Sequence, residues 1–360
     1  MASLFLYLFM IMKKLSIYFF IFLLIASCSE DSEEDLYFPN DYGKGTYFIT
    51  PQNINFIAKG SSEIQNNIFY NVNGFNLLNS KNASVYGSKL FILNNELNII
   101  DINNFSLLGS VAGFSNPQMS SAISQNRIFV TDKEESLVKE VDLLSYEIIS
   151  EIETGVNTSP SFILNKLNKS FVLNGGNTSL KDSTLITITY KDSLVSLADF
   201  SGNLIIGDNP NSAVNSGNIY ILCKGVYNSS NYPNSEASIY SIYPDDLSVS
   251  FYENLSGIFN AHNLIANSSS TNFYFLAEGG VYRTNKLATN INPLISINAN
   301  LLRINSEKYA LNDSTDAYSD FLFINDLDNI GHIYKYNINL SNFVDTLIFD
   351  NNIVDICFKN

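Results

Sequence analysis

The sequence predicts an all-β fold, a seven-bladed β-propeller, and three observations lead to this prediction. Short alternating runs rich in Ile, Val, Tyr and Phe dominate the chain after residue 40, without a sustained helical period. An apolar triplet with a central aromatic residue occurs seven times, at intervals of 35 to 54 residues. The ends are complementary, because the last strand-like run lacks a following triplet and the first triplet lacks a preceding run.

The triplet is the second strand of each predicted blade. It follows a polar turn, as in KLFIL, RIFVT and NIYIL, and leads into two further strand-like runs. A short inner run precedes it, so each unit holds four strands, and units of about 40 to 50 residues with four strands are typical of propeller blades. The central aromatics of the seven triplets are Phe48, Phe91, Phe129, Phe171, Tyr220, Tyr274 and Tyr309.

Closure of the ring follows from the two ends of the repeat array. The final run NNIVDICF (351–358) has the character of an inner strand, and GTYFIT (45–50) is a triplet without one. Pairing them completes one blade and removes two exposed sheet edges. A single β-sandwich would also use many strands, but it would not repeat one aromatic triplet. Stacked blades also suit the chain length, since single cores stop growing near about 250–300 residues.

The first 44 residues precede the predicted propeller and are typical of a secretion segment. Lys13 and Lys14 form a basic start, with Met12 as an alternative initiator, and the apolar core Leu15–Ile25 follows. That core is too short to cross a bilayer of about 30 Å as a helix. A membrane anchor made of residues 1–27 would place both lysines at mid-membrane depth, at a cost of about 2.5 kcal/mol or more each. We therefore predict a signal peptide over residues 1–27.

The signal ends at a motif for lipid attachment. Ile25-Ala26-Ser27-Cys28 resembles the bacterial lipobox, which implies that Cys28 is lipidated. The acidic run Ser29–Asp35 resembles the tether that Bacteroidota place after the lipidated cysteine of surface lipoproteins. Such a block also serves as a solvated linker, since like charges keep it extended. The predicted division is signal 1–27, lipidated cysteine and tether 28–44, and propeller 45–360, with the protein on the outer membrane at the cell surface.

Composition excludes some partners. The 360 residues carry a net charge of −15, with 20 Lys and Arg against 35 Asp and Glu, so a nucleic-acid backbone would be repelled. Anionic lipid would be repelled as well, and membrane attachment would depend on the lipid of Cys28. Cys223 and Cys357 could form one disulfide, but both lie in apolar strand patterns, which favours buried free thiols.

Two stretches resemble a known family. RIFVTD and NIYILC resemble the YVTN repeat of YncE-like seven-bladed propellers. The longer segment 66–118 is similar to surface lipoproteins of Bacteroidota that carry this propeller and cap a TonB-dependent transporter, among them cobalamin-binding ones. The resemblance implies capture of a nutrient and its delivery to an outer-membrane barrel. The repeats depart from the family in lacking Pro-Asp-Gly turns, and blades five to seven vary in length.

One face of the propeller collects the long links. The links from second to third strand carry insertions at 174–183, 224–237 and 312–320, and the inter-blade links share their face. Insertions on one face of a repeat array mark its binding face. The candidate ligand-binding residues in these links are Phe114, Asn116, Asn174, Asn209, Tyr227, Tyr232, Phe259, His262, Arg303, Asp313 and Tyr318.

These residues favour binding rather than chemistry. Each loop tyrosine could simply cover its own blade, but together the aromatics form a platform for a ring-bearing ligand or a partner protein. Two histidines cannot build a histidine metal cage, and Asp313, Asp316 and Asp320 could hold calcium only without a complete ligand loop. No metal or cofactor is therefore predicted.

Motifs for catalysis are missing from the sequence. It contains no G-x-S-x-G, H-E-x-x-H or C-x-x-C, and Asp245-Asp246 lies in a short turn where Asp commonly bonds its own backbone. The sequence thus predicts no enzyme but a lipid-anchored surface protein that captures a small-molecule nutrient, a corrinoid included, for a TonB-dependent transporter. A protein-interaction or adhesion propeller without a small ligand is the alternative, followed by a propeller enzyme.

Overall fold

Antiparallel sheets build the structure. The computed structural model describes residues 42–176, 180–191, 195–310 and 316–360. In these residues the strands form seven sheets, six of four strands and one of three. The inner strands of consecutive sheets contact one another in chain order, and an apolar cluster joins the last four-stranded sheet to the three-stranded one, so the sheets are blades about an axis. The predicted seven-bladed β-propeller is confirmed. The predicted signal (1–27), Cys28 and the tether up to residue 41 lie outside the described residues.

The blades follow chain order. The strands are β1 (Gly45–Ile49), β2 (Ile54–Ala58), β3 (Asn82–Tyr86), β4 (Lys89–Leu93), β5 (Leu97–Asp101), β6 (Leu107–Val111), β7 (Pro117–Ala122), β8 (Arg127–Asp132), β9 (Leu137–Asp142), β10 (Glu147–Glu153), β11 (Pro160–Lys166), β12 (Lys169–Asn174), β13 (Thr184–Lys191), β14 (Val195–Ile205), β15 (Pro210–Ser216), β16 (Asn218–Cys223), β17 (Ser238–Ile242), β18 (Val249–Asn254), β19 (His262–Ala266), β20 (Asn272–Ala277), β21 (Gly280–Asn285), β22 (Asn292–Ser296), β23 (Leu302–Ala310), β24 (Asp316–Asn325), β25 (His332–Asn337), β26 (Asn342–Ile348) and β27 (Asp355–Lys359). Blades one to six take four strands each from β3 to β26, and β27, β1 and β2 form the closing blade.

The closing blade joins the two ends of the propeller. β1 lies between β2 and β27, with Tyr47 opposite Cys357 and Phe48 opposite Ile356. Just before β27, the amide of Val354 donates a hydrogen bond to a β1 carbonyl at 2.8 Å. The predicted closure is confirmed, but this blade has three strands where the sequence analysis expected four.

A short helix follows the closing blade instead of a fourth strand. Helix α1 (Ile68–Asn73) ends at Gly74, whose φ of 77° closes the turn, and the sequence analysis did not predict this helix. Ile68 and Phe69 are buried in it. The side chain of Asn73 donates to the carbonyl of Phe105 at 3.0 Å, which ties α1 to the first blade.

The core lies between the blades. Residues of two neighbouring blades meet in each apolar cluster, as Phe91 of β4 does with Val130 of β8. Because each sheet is covered on both faces, its second strand is apolar at consecutive positions rather than alternately. This explains the triplet, whose central Phe91, Phe129 and Phe171 are fully buried.

The seventh triplet was assigned wrongly. EKYAL (307–311) is not a second strand, because Leu302–Ala310 forms the first strand of the sixth blade. The second strand is β24, where Phe321 to Phe323 occupy the triplet position and are buried. β23 continues beyond the blade as a hairpin with β24, so its end resembles a triplet. Of the predicted insertion 312–320, residues 316–320 belong to β24 and pair with β23, at the opposite end of the blade from the one predicted.

The propeller thus has two distinct ends. We call the end with the second-to-third and inter-blade links the loop face, and the other end the turn face. The described residues of the predicted insertions 174–183 and 224–237 lie on the loop face, as predicted, except that Asn174 is the last residue of β12. Cys223 and Cys357 are buried free thiols, which confirms their prediction, and burial raises the pKa of Cys223 to about 12. In the described part of the chain no helix is long and apolar enough to cross a membrane.

Candidate functional site

Polar residues at the loop-face ends of second strands hold the inter-blade links. The carboxylate of Asp132 accepts the amides of Ser115 at 2.8 Å and Asn116 at 2.9 Å. The side chain of Asn325 accepts the amide of Leu301 at 2.9 Å in the same way. These bonds satisfy backbone donors that would otherwise lack partners, so the loop face rests on a fixed backbone.

Phe114 belongs to a buried ionic network rather than to an open surface. Its side chain is only 8% exposed, and Lys139 Nζ lies 5.7 Å from its ring centroid. The same ammonium is 2.6 Å from Glu135 Oε2 and 3.5 Å from Asp132 Oδ2, and it donates to the carbonyl of Gly113 at 2.6 Å. Lys139 is thereby paired despite its burial, and Phe114 covers it.

The three candidate asparagines fasten loops. Asn174 is fully buried, and its Nδ2 donates to Thr184 Oγ1 at 2.8 Å. Asn209 has a φ of 54° and donates to the carbonyl of Gly225 at 3.0 Å. Asn116 Oδ1 accepts a 2.7 Å hydrogen bond from a neighbouring glutamine. The side chains of Asn174 and Asn209 are therefore parts of the loop framework.

Asp208 joins the long links of the third and fourth blades. Its carboxylate contacts Lys181 Nζ at 2.9 Å and accepts hydrogen bonds from Ser183 Oγ at 3.0 Å and Ser235 Oγ at 2.7 Å. Burial alone would raise the pKa of Asp208, but the hydrogen bonds from Lys181, Ser235 and Ser183 outweigh it and hold the pKa below its ordinary value. The two inserted links are thus locked to each other by one carboxylate.

The lowered pKa of Asp208 predicts a pH dependence. A carboxyl whose pKa is lower in the folded state binds fewer protons there, so it stabilises the fold above its unfolded pKa of about 3.9 and loses that effect as the pH falls through the folded value. We expect D208N to melt below the wild type at pH 7, and the difference to shrink between pH 5 and pH 3. Thermal unfolding of both proteins across this range measures it. A difference that stays constant would contradict the assignment.

A partly exposed aromatic pair lies beside this junction. The rings of Tyr227 and Phe259 are 5.2 Å apart between centroids, with an interplanar angle of 32°. Tyr227 is 39% exposed, and Tyr232 of the same link is half-buried. The pair joins the link 224–237 to the inter-blade link before the fifth blade. It offers an aromatic surface of the kind that ring-bearing ligands contact.

Two lysines, Lys133 and Lys224, lie near each other on the loop face, and sequence reasoning missed both. His262 Nδ1 is 3.0 Å from the carbonyl of Asn260, and burial, with the nearby charge of Lys224, lowers the pKa of His262. Burial and then the charge of Lys133 lower the pKa of Lys224. Lys224 is nevertheless solvent-exposed. The lowered pKa leaves His262 neutral near pH 7, so we call Lys133 and Lys224 alone the basic mouth.

The sequence repeats contained a pattern that could have predicted the basic mouth. Lys133 lies four positions after Phe129, and Lys224 lies four positions after Tyr220, so both follow a second strand directly. Their amides make equivalent bonds to the preceding inter-blade link, Lys133 to Asn116 at 3.0 Å and Lys224 to Asn209 at 2.9 Å. Alignment of the triplets would have placed both lysines on the loop face.

The remaining candidates lie elsewhere. Arg303 pairs with Asp355, Nη2 to Oδ1 at 2.6 Å, where two inner strands begin. Tyr318 is on the turn face and 66% exposed, and Asp313 lies outside the described residues. Asp320 accepts a hydrogen bond from Ser268 Oγ at 2.9 Å. Among the residues that the structure describes, no group of three His, Cys, Asp or Glu side chains could hold a metal ion.

The loop face therefore offers aromatic contact and positive charge together. The aromatic pair can contact a flat apolar group, while the basic mouth can attract an anionic one. The hydrogen-bonded links below them are held in place, so little ordering would accompany binding.

Comparison with known proteins agrees with the architecture. No protein-family model and no curated protein match this chain. Among solved structures, a quinonprotein alcohol dehydrogenase-like protein from Bacteroides thetaiotaomicron is 13% identical, with a TM-score of 0.62 over 89% of this chain and 79% of that one. A Bacteroides fragilis protein, provisionally assigned as a 6-phosphogluconolactonase, is 8% identical, with a TM-score of 0.60 over 88% and 98%. At such identities the likeness shows the propeller fold alone.

Proposed function

We propose that this protein is a lipid-anchored binding protein of the outer bacterial surface, which captures a ring-bearing nutrient with an anionic group for a TonB-dependent transporter. The observation that carries the ligand half is the aromatic pair Tyr227–Phe259 beside the basic mouth. The anchor half is supported by the lipobox-like sequence before Cys28 and the acidic run after it. The resemblance of residues 66–118 to transporter-capping lipoproteins supports the transporter.

A corrinoid has the chemistry that this surface suits. Cobalamin presents a broad ring system edged with amides and one phosphodiester with a negative charge. Tyr227 and Phe259 would lie against the ring system, and Lys133 and Lys224 would attract the phosphodiester. The whole chain carries a net charge of −15, so most of its surface repels an anion. A local group of positive charges therefore directs an anion to one place.

Tyr227 is expected to dominate the aromatic contact. An aromatic contact contributes about 0.5–1.5 kcal/mol beyond burial, and about 1.4 kcal/mol is tenfold in affinity, so we expect Y227A to weaken cobalamin binding about three- to tenfold. Tyr243, 49% exposed in a turn-face link of the same blade, provides the matched control Y243A. Calorimetric titration and ligand-induced thermal shift measure both. Equal affinities of the two variants would contradict the proposed site.

The transporter half has a separate outcome. Co-purification of the protein from outer membranes would identify a barrel partner. If a barrel co-purifies but no corrinoid shifts the unfolding transition, the loop face recognises a protein, and the proposed capture of a small-molecule nutrient is wrong.

Lipid attachment at Cys28 is tested directly. We expect C28S expressed in a Bacteroidota host to lose incorporation of labelled palmitate and to leave the membrane fraction, because the net negative charge offers no other attachment to anionic lipid. C223S is the matched control, since that buried thiol is not accessible to modification. Palmitate incorporation that persists in C28S would contradict the anchor.

A further inference from the structure

A cleft opens on the turn face between the sixth and the closing blade, away from the loop face. Its volume is about 600 Å³, within the range of about 300–1,000 Å³ typical of small-molecule pockets. The walls come from β23 to β26 on one side and from β1, β2 and β27 on the other. Tyr318, which the sequence analysis assigned to the other face, stands at its edge.

The floor of the cleft is apolar. Phe48, Ile57, Phe323 and Leu347 line it, and all four belong to the apolar cluster that joins these two blades. Toward the loop face this cluster fills the space between the blades, and toward the turn face it leaves the cleft open. A flat apolar group of a ligand would therefore continue the packing of the inter-blade core.

The cleft is basic in an acidic protein. Its charged side chains are four lysines and two acids, whereas the whole chain has 20 Lys and Arg against 35 Asp and Glu. The charged lining residues are Lys59, Lys308, Lys335, Lys359, Glu307 and Asp345.

One lysine is held at the wall of the cleft. Lys335 forms an ion pair with Glu307, and its Nζ lies 4.6 Å from the ring centroid of Phe321 and 5.4 Å from that of Phe323. Asn305 donates to the other oxygen of Glu307 at 3.3 Å and accepts a 3.1 Å hydrogen bond from Asn360. Glu307 is thus paired with Lys335 and hydrogen-bonded to Asn305. Its charge is neutralised, so it does not offset the positive charge of Lys59 and Lys359 at the rim.

We propose that this cleft is a second binding site, for a small anion with a flat apolar body, such as an aromatic carboxylate or sulfonate. The apolar floor takes the ring system, and the rim lysines Lys59 and Lys359 face the anionic group. The site is independent of the loop face, because it uses other blades and opens at the opposite end of the propeller.

The test uses two fluorescent probes of nearly equal shape. 8-Anilinonaphthalene-1-sulfonate is anionic and N-phenyl-1-naphthylamine is neutral. We expect the purified protein to bind one sulfonate probe per chain, at least fivefold more tightly than the neutral one. S306W, which places an indole into the cleft from its wall, should abolish saturable binding, and K359E should weaken sulfonate binding at least fivefold without affecting the neutral probe.

K89E is the matched control, because Lys89 is also half-buried near the turn face but lies in the first blade. It should leave both affinities unchanged, and Y227A should do the same. If S306W does not fold, K359E against K89E still decides the question. Equal binding of both probes, or a sulfonate affinity that K359E leaves unchanged, would overturn the proposal.

Discussion

Deletion of residues 353–360 is expected to abolish the cooperative native state of the propeller. The deletion removes β27, whose backbone bonds the full length of β1, and it exposes that edge. Ile353 and Ile356 are 1% and 2% exposed, and burial of each such side chain contributes about 1.5–3 kcal/mol. Together with the lost backbone pairing, this approaches the total stability of about 5–15 kcal/mol of a typical protein.

Circular dichroism on heating, together with size-exclusion chromatography, measures this loss. We expect no sharp transition and a large soluble aggregate, since an open β1 edge can pair with a second chain. The substitution I356D tests the same strand without truncation, and I348D is its matched control because Ile348 is 62% exposed on the outer strand β26. A truncated protein that unfolds sharply near the wild-type temperature would show that closure is dispensable.

The fold was predictable because the blade imposes a pattern on consecutive residues. A second strand covered by sheets on both sides needs apolar residues without alternation, and the triplets around Phe91, Phe129 and Tyr220 record this directly. Closure was also predictable, because the first triplet has no inner strand before it and the last inner strand has no triplet after it. The pattern failed at Tyr309, where the extended strand β23 has the same local composition as a second strand.

The site was predictable only in part, because a loop residue has two possible roles that look alike in sequence. Asn174 and Tyr227 were both predicted in inserted links, yet Asn174 is fully buried at the end of β12 and Tyr227 is exposed beside Phe259. Whether a link folds back on itself depends on partners far away in the chain. Asp208 shows this, since it joins Lys181 of one blade to Ser235 of the next.

Arg303 is expected to stabilise the ring at the seam where it closes. Its guanidinium meets the carboxylate of Asp355, which is 1% exposed and also accepts the amide of Ala83 at 2.9 Å and Asn82 Nδ2 at 3.1 Å. One carboxylate thus connects the first strands of the sixth, closing and first blades. Removing one partner of a buried ion pair costs about 3–5 kcal/mol, because the remaining charge is left uncompensated.

We therefore expect R303M to lower the free energy of unfolding by about 3–5 kcal/mol, measured by denaturant titration. The double variant R303M/D355N should lose less than R303M alone, because the neutral amide no longer needs a cation and still accepts the amide of Ala83. K89M provides a matched control for loss of a cation elsewhere. If Arg303 acted as a ligand contact instead, R303M would weaken binding and leave the unfolding transition in place. An unfolding free energy that R303M leaves unchanged would therefore contradict the structural role, and the closing blade would then be held to its neighbours by apolar packing alone.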